Sequence, residues 1–179
     1  MNNIDERKDD TAEMLPVVDT EGNLIGCATR GECHGGKMLL HPVVHLHVID
    51  PEGRVYLQKR PVWKEIQPGR WDTAVGGHVA YGEEIGDALR RETLEEVGLR
   101  GFSPVLLSRY KFVSSRETEM VYTFATVTDR MPVPSAELDG GRFWTDEEIE
   151  NAIGTGVLTP NLESEIRIVF DYIRSMESR

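Results

Sequence analysis

Cysteine is scarce in this chain of 179 residues, which has only Cys27 and Cys33. Two thiols so close together cannot form a disulfide framework or a thiolate zinc site, and both read as ordinary reduced thiols. Long apolar runs are also missing. Nothing approaches the ~18 residues that a membrane helix requires, so no membrane partner is expected. The opening MNNIDERKDDTAEM carries charges where a secretory leader needs an apolar stretch, which makes the cytoplasm the expected compartment. Positive charge is in deficit, with 20 Lys+Arg against 31 Asp+Glu and a formal net charge of -11. Tracking a nucleic-acid backbone relies on the opposite surplus, so a nucleic acid duplex is not an expected partner. A small phosphorylated metabolite stays open, because a few local basic groups and a metal ion can hold one whatever the distant surface carries.

What is present describes a globular chain. The hydrophobic fraction is 39% and the charged fraction 28%, and the length suits one domain with its own core. Residues 1–12 read as a flexible polar tail and 13–179 as the domain. The oligomeric state is left open, a homodimer being one outcome.

The pattern of elements is mixed. Leu15, Val17 and Val18, then Leu24, Ile25 and Cys27, flank Glu21-Gly22-Asn23 as in a small hairpin. From His41 to Ile49 apolar and polar residues alternate, putting His41, Val43, His45 and His47 on one face of a strand. After the turn at Pro51-Glu52-Gly53 a returning strand carries Val55 and Leu57, and the two together read as sheet-edge strands leading to a long loop, RPVWKEIQPGRW. Strand-like stretches recur at 103–113 and 119–128, the latter rich in β-branched and aromatic residues. Between these groups, Ile85, Ala88, Leu89 and Val97 form the apolar stripe of a helix over 83–97 that Gly98 stops. Thr145 and Glu148 make a capping box for a short helix. Thr159-Pro160 opens a last helix, with Ile166, Val169, Phe170 and Ile173 at helical spacing. Strands before, around and after helices predict an α/β/α sandwich with a mixed sheet.

The chemistry concentrates on the central helix. Glu92, Glu95 and Glu96 fall at i, i+3 and i+4, which at about 100° per residue sets three carboxylates on one arc. An acidic helix face is ordinarily solvated surface. Like charges this close make functional sense when a hard cation sits among them, since Mg²⁺ joins a few carboxylates to substrate phosphate oxygens.

The surrounding segment, GHVAYGEEIGDALRRETLEEVGL, resembles the Nudix box G-x5-E-x7-R-E-U-x-E-E-x-G-U, with Gly77, Glu83, Arg91, Glu92, Glu95, Glu96, Gly98 and Leu99 in place. At ~6–7% usage per residue type, seven fixed identities match by chance on the order of 10⁻⁸ per starting point, which makes the resemblance specific. The one departure is Thr93 in place of an aliphatic residue; it continues the stripe from Ile85 and Leu89 and should cost only a little packing. The resemblance implies a Nudix-type α/β/α sandwich and a metal-dependent hydrolase of phosphoric anhydrides, using Mg²⁺ or Mn²⁺. It implies Glu92, Glu95 and Glu96 as metal ligands with the Gly77 carbonyl assisting, and Glu83 and Arg91 as a brace between loop and helix.

A second set of residues resembles one branch of that family, isopentenyl-diphosphate isomerase. There a metal is held by two histidines seven apart, a histidine after the loop tryptophan and an E-x-E pair. Here His34 and His41 have that spacing, His78 follows Trp71, and Glu117 and Glu119 form ETE. Three imidazoles and two carboxylates suit a second, transition-metal ion such as Mn²⁺, Fe²⁺ or Zn²⁺. The isomerase carries a cysteine acid/base where this chain has Gly76, and glycine cannot transfer a proton. The expectation is therefore a hydrolase of the isomerase-like branch acting on a nucleoside-diphosphate-linked or related metabolite. Isomerisation and a non-catalytic metabolite-binding module are the alternatives.

Other residues read as ordinary structure. His45 and His47 share a strand face and are read as structural. Lys59, Arg60 and Lys64 read as solvated surface, though basic groups there could meet a diphosphate. Trp63, Trp71 and Trp144 read as core rather than as stacking platforms. Ser115, Arg116 and Glu117 occupy the region about sixteen residues beyond the box, where a proline or tyrosine marks two known substrate classes of the family, so no subclass follows.

Overall fold

The computed structural model describes residues 10–64 and 66–178, so most of the expected tail lies outside the described residues. The first hairpin forms as its turn demands: β1 (Met14–Val18) pairs antiparallel with β2 (Leu24–Thr29) as a small separate sheet. Asp19 closes that turn, its Oδ1 accepting from the backbone of Glu21 at 3.0 Å and Asn23 at 2.8 Å. A one-turn helix not apparent in the sequence, α1 (Arg30–Cys33), follows, capped reciprocally by Thr29 and Glu32.

The main sheet has seven strands among the described residues. β3 (Leu40–Ile49) and β4 (Val55–Lys59) are followed by β5 (Trp71–Thr73) and β6 (Val75–His78). Beyond α2 (Ile85–Val97) come β7 (Val105–Val113), β8 (Thr118–Val127) and β9 (Gly141–Trp144), then α3 (Asp146–Ala152) and α4 (Pro160–Glu177). The order is β5-β4-β3-β8-β7, with β6 bonded to β3 and β9 to β4. Only the β3–β8 pair is parallel, so the sheet is mixed as expected. No helix among the described residues is long and apolar enough to cross a membrane.

β3 is the axis of this sheet rather than an edge. It pairs with β8 along its whole length on one side, and on the other first with β6 and then with β4. All ten of its residues are buried, because both faces are covered. Val44, Leu46 and Val48 point into a cluster with Ala88, Leu89 and Val97 of α2. Ile49 joins the opposite cluster, with Leu162, Ile166 and Val169 of α4 and Ile149 of α3. Helices on both faces complete the α/β/α sandwich. Thr93 is fully buried on the α2 stripe, its hydroxyl returning a 2.6 Å bond to the Leu89 carbonyl, so the polar substitution leaves no unsatisfied group. Gly98 ends α2 at φ 66°, a left-handed cap that favours glycine.

Candidate active site

β5 and β6 bridge the gap where β4 diverges from β3: β5 pairs with β4, and β6 pairs with β3 through Gly76 and Gly77. A pair of glycines reads as loop in sequence, and here it is strand. At Gly77 the missing side chain is what admits an α2 carboxylate, while Gly76 faces the His45 ring. A Cβ built on Gly77 would lie 2.1 Å from Glu92 Cδ, so the Glu92 carboxylate occupies the space a side chain would need. Glu96 reaches the same strand, its Oε2 accepting from the Gly76 amide at 3.0 Å and from Gln58 Nε2 at 3.3 Å. Burial pushes the Glu92 carboxyl up to about 6 and Glu96 up to about 8.

Arg91 forms the brace. Its Nε and Nη2 grip both oxygens of Glu83 at 2.9 and 2.8 Å, Nη2 also donates to the His78 carbonyl at 3.0 Å, and Nη1 donates to Glu92 Oε1 at 2.7 Å. Glu83 in turn accepts from the Ala80 amide at 3.0 Å. This fork ties the loop after β6 to the helix and holds the Glu83 carboxyl below the usual range. Glu95 stands apart from its neighbours: its side chain is 57% exposed and meets Arg91 Nη1 at 3.3 Å on the outer flank. Glu92 and Glu96 line a cavity of about 480 Å³, and Glu95 does not.

His34, His78, Glu117 and Glu119 of the second cluster line the same cavity. His34 from the end of α1, His41 from β3 and His78 from β6 present ring nitrogens within 4.8 Å of one another. His34 Nε2 lies 2.9 Å from His78 Nε2, and His34 Nδ1 lies 3.5 Å from Glu117 Oε2. Glu119 sits opposite His41 in the β3–β8 register and lines the same cavity. His41 Nε2 and Glu117 Oε2 are buried with no hydrogen-bond partner among the described residues. Burial holds His78 well below the ordinary imidazole value, lowers His41, and pushes Glu119, with the nearby Glu117 charge, up to about 7.

Some expectations change. Arg60 is not loose surface: its Nη1 meets Asp72 Oδ2 at 3.2 Å, its Nη2 meets the Ile66 carbonyl at 3.0 Å, and it lines the cavity with Lys64. Lys59 lies over the Trp71 ring. Trp144 belongs to the core with Trp71 packed edge-on at 5.1 Å, but Trp63 is exposed. His45 and His47 are neither idle nor independent, because both bond to Glu165, a buried carboxylate on α4 that sequence reasoning passed over. The available signal was position: Glu165 comes three residues after Leu162 and four before Val169, a charge on an otherwise apolar stripe.

Comparison with known proteins agrees with this geometry. The NUDIX domain model matches residues 39–162. An isopentenyl-diphosphate Delta-isomerase of Agromyces mediolanus is 34% identical over 137 residues, covering 72% of this chain and 66% of that protein. An uncharacterized Nudix hydrolase of Streptomyces coelicolor is 39% identical over 89 residues, 50% of this chain and 49% of its own length. The match thus spans between about half and two thirds of these relatives. Among solved structures, DR0079 from Deinococcus radiodurans superposes with a TM-score of 0.76 at 23% identity, covering 87% of this chain and 98% of that one. The MutT protein from Methanosarcina mazei superposes with a TM-score of 0.62 at 18% identity, covering 80% and 99%. The chain belongs to the Nudix family, on the branch similar to isopentenyl-diphosphate isomerases.

Proposed function

We propose that this protein hydrolyses the diphosphate (phosphoric anhydride) bond of a small nucleoside-diphosphate-linked or related metabolite in the cytoplasm, with Mg²⁺ or Mn²⁺ held by Glu92, Glu95, Glu96 and the Gly77 carbonyl. The observation that carries the reading is the seating of Glu92 against Gly77, where a Cβ would fall 2.1 Å from Glu92 Cδ. Two half-buried carboxylates beside a bare strand are unfavourable as ions on their own, and carboxylate and carbonyl oxygens are the donors a hard cation prefers. Such a cation, when bound, neutralises phosphate charge and activates a water. The protein's own groups prepare the site. Arg91 fixes Glu92 Oε1, while the Gly76 amide and Gln58 fix Glu96 Oε2, so the remaining oxygens are oriented before any ligand arrives. Arg60 and Lys64 on the cavity wall supply positive charge for the phosphates.

The histidine cluster fits a second, transition-metal ion. His41 Nε2 and Glu117 Oε2 are buried ligand atoms with no hydrogen-bond partner among the described residues, Glu117 Oε2 facing His34 Nδ1 at 3.5 Å, and three imidazoles with Glu117 and Glu119 match the preferences of Mn²⁺, Fe²⁺ or Zn²⁺. That cluster and the isomerase name of similar proteins favour allylic isomerisation as a second reading. Gly76 stands against it, since the position has no group to move a proton.

The test mixes the protein with Mg²⁺ or Mn²⁺ and a panel of nucleotide sugars, dinucleotides, nucleoside triphosphates and isopentenyl diphosphate, and follows products by phosphorus NMR. Cleavage of an anhydride supports hydrolysis. Conversion of isopentenyl diphosphate to its isomer overturns it, and binding without turnover of any compound points to a metabolite-binding module.

A further inference from the structure

One buried charge network is used neither by the box nor by the histidine cluster. Glu165 on α4 is 2% exposed, and its two oxygens accept from three donors on two strands. Oε1 accepts from His45 Nδ1 at 2.7 Å and from the Tyr110 hydroxyl at 2.5 Å, and Oε2 accepts from His47 Nε2 at 2.7 Å. An apolar residue at this position of the stripe would pack α4 on the sheet without the desolvation penalty of a carboxylate. A purely structural account therefore leaves the choice of glutamate unexplained.

The two histidines end differently. His47 is fully buried, and its Nδ1 has no partner among the described residues. His45 lines the cavity shared with Glu92, Glu96 and Glu119. Its Cδ2 and Nε2 edge lies against Gly76, where a Cβ would stand 3.7 Å from Nε2 in ordinary contact, and Gly76 lines the same cavity, so Nε2 is on the cavity side of the ring. Glu165 fixes the opposite nitrogen. A carboxylate accepting from Nδ1–H of an imidazole whose Nε2 faces a cleft fixes the orientation of the ring and favours its charged form, in which Nε2 also carries a proton.

We propose that His45 is a substrate-contacting residue, its ring locked by Glu165 so that Nε2–H donates a hydrogen bond to a phosphate oxygen of the anhydride in the cavity. The inference rests on the reading of the cavity as a diphosphate site. Its logic is local charge: Glu92, Glu96, Glu117 and Glu119 all line this cavity, and an anionic substrate entering it needs cationic donors among them. Burial works to lower the His45 imidazole, but the Glu165 charge and hydrogen bond outweigh it and raise the group to about 9, which keeps Nε2 a donor at neutral pH. Glu165 is then a positioning residue, and no proton changes hands in this contact.

The test uses protein carrying nitrogen-labelled histidine, titrated with inorganic pyrophosphate in the presence of Mg²⁺, together with kinetics of His45→Gln, Glu165→Gln and His47→Gln. The proposal expects the His45 Nε2 resonance to move on pyrophosphate binding while that of His47 stays. On whichever anhydride the wild type cleaves, His45→Gln and Glu165→Gln should lose about 10- to 100-fold in kcat/KM, with a rise in KM, the size expected for a hydrogen bond to a charged group. His47→Gln should lower Tm and leave KM near the wild-type value. An unmoved His45 resonance at saturating pyrophosphate, absence of pyrophosphate binding, or a His45→Gln enzyme with wild-type kcat/KM overturns the proposal. If pyrophosphate moves His45 but no anhydride is cleaved, hydrolysis alone falls; if cleavage proceeds unchanged in His45→Gln, only the role of His45 falls.

Discussion

The Nε2 atoms of His34 and His78 lie 2.9 Å apart, a spacing at which only one of them can carry a proton on the line between them. With His41 Nε2 left without a hydrogen-bond partner beside them, the three rings form a cluster of nitrogen ligands that a metal ion satisfies better than a single shared proton. Elemental analysis of the purified protein is expected to find about one equivalent of Mn, Fe or Zn. His41→Ala and His78→Ala should each lose it, and Glu96→Gln should keep it. Metal content unchanged in both histidine variants would remove the second site from the account.

Adjacent glycines should respond oppositely to a methyl group. Gly77→Ala places a Cβ 2.1 Å from Glu92 Cδ and must expel that carboxylate, so activity should fall by roughly 100-fold or more. A Cβ on Gly76 would meet its nearest neighbour, His45 Cδ2, at 3.6 Å, an ordinary contact. Gly76→Ala should therefore fold with a Tm near wild type. Steady-state kinetics and thermal melts of the two variants decide the matter, and equal losses in both would contradict the packing described.

The acidic cluster carries a conflict between stability and function. Burial raises Glu96 from 4.5 to about 8, so the metal-free folded state holds a proton that the unfolded state releases. Folding stability must then fall as pH rises from 4.5 towards 8. In chelator, Glu96→Gln is expected to flatten that slope and melt above wild type at pH 8.5. With metal present, Glu96→Gln and Glu95→Gln should keep the fold and lose most activity. Full rates at saturating metal in both would sink their assignment as ligands.

How much of this was legible in the sequence depended on whether spacing alone carried the information. The helix of Glu92 and Glu96 was legible because its apolar stripe and carboxylates follow a helical period and Gly98 marks its end, and Leu89 and Val97 are buried where that period puts them. β6 was not, since Gly76 and Gly77 have no side chains to show a period and their strand state comes from pairing with Val44 and His45. The alternation of β3 was legible but its central place was not: polar residues on one face suggest solvent, and only the arrival of Glu165 from a distant helix explains why His45 and His47 are buried. Glu95 shows the converse limit. Helical spacing groups it with Glu92 and Glu96, yet its side chain lies on the outer flank, because Arg91 stands between.

The His45–Glu165 pair has its own pH signature. His45 is raised from 6.5 to about 9, so its contribution to stability is complete below pH 6.5 and is lost as pH climbs through about 9. Glu165 is held below its ordinary 4.5 by the histidines despite its burial, so its contribution is present above pH 4.5 and is lost only in stronger acid. The two overlap fully between pH 4.5 and 6.5. Urea unfolding of wild type and Glu165→Gln should show the larger gap at pH 6 and a smaller one at pH 10. A gap that is constant or widens with pH would mean that His45 is not charged in the folded protein.

The most direct test of metal-dependent anhydride chemistry at α2 is an anomalous difference map from a crystal soaked in manganese. The account expects a peak bounded by the carboxylates of Glu92 and Glu96 and the Gly77 carbonyl, with Glu95 drawn inward or bridged to the ion by water. A soaked crystal with no anomalous peak there, and with Glu92 still held by Arg91 and Glu96 by Gly76 and Gln58, would contradict it.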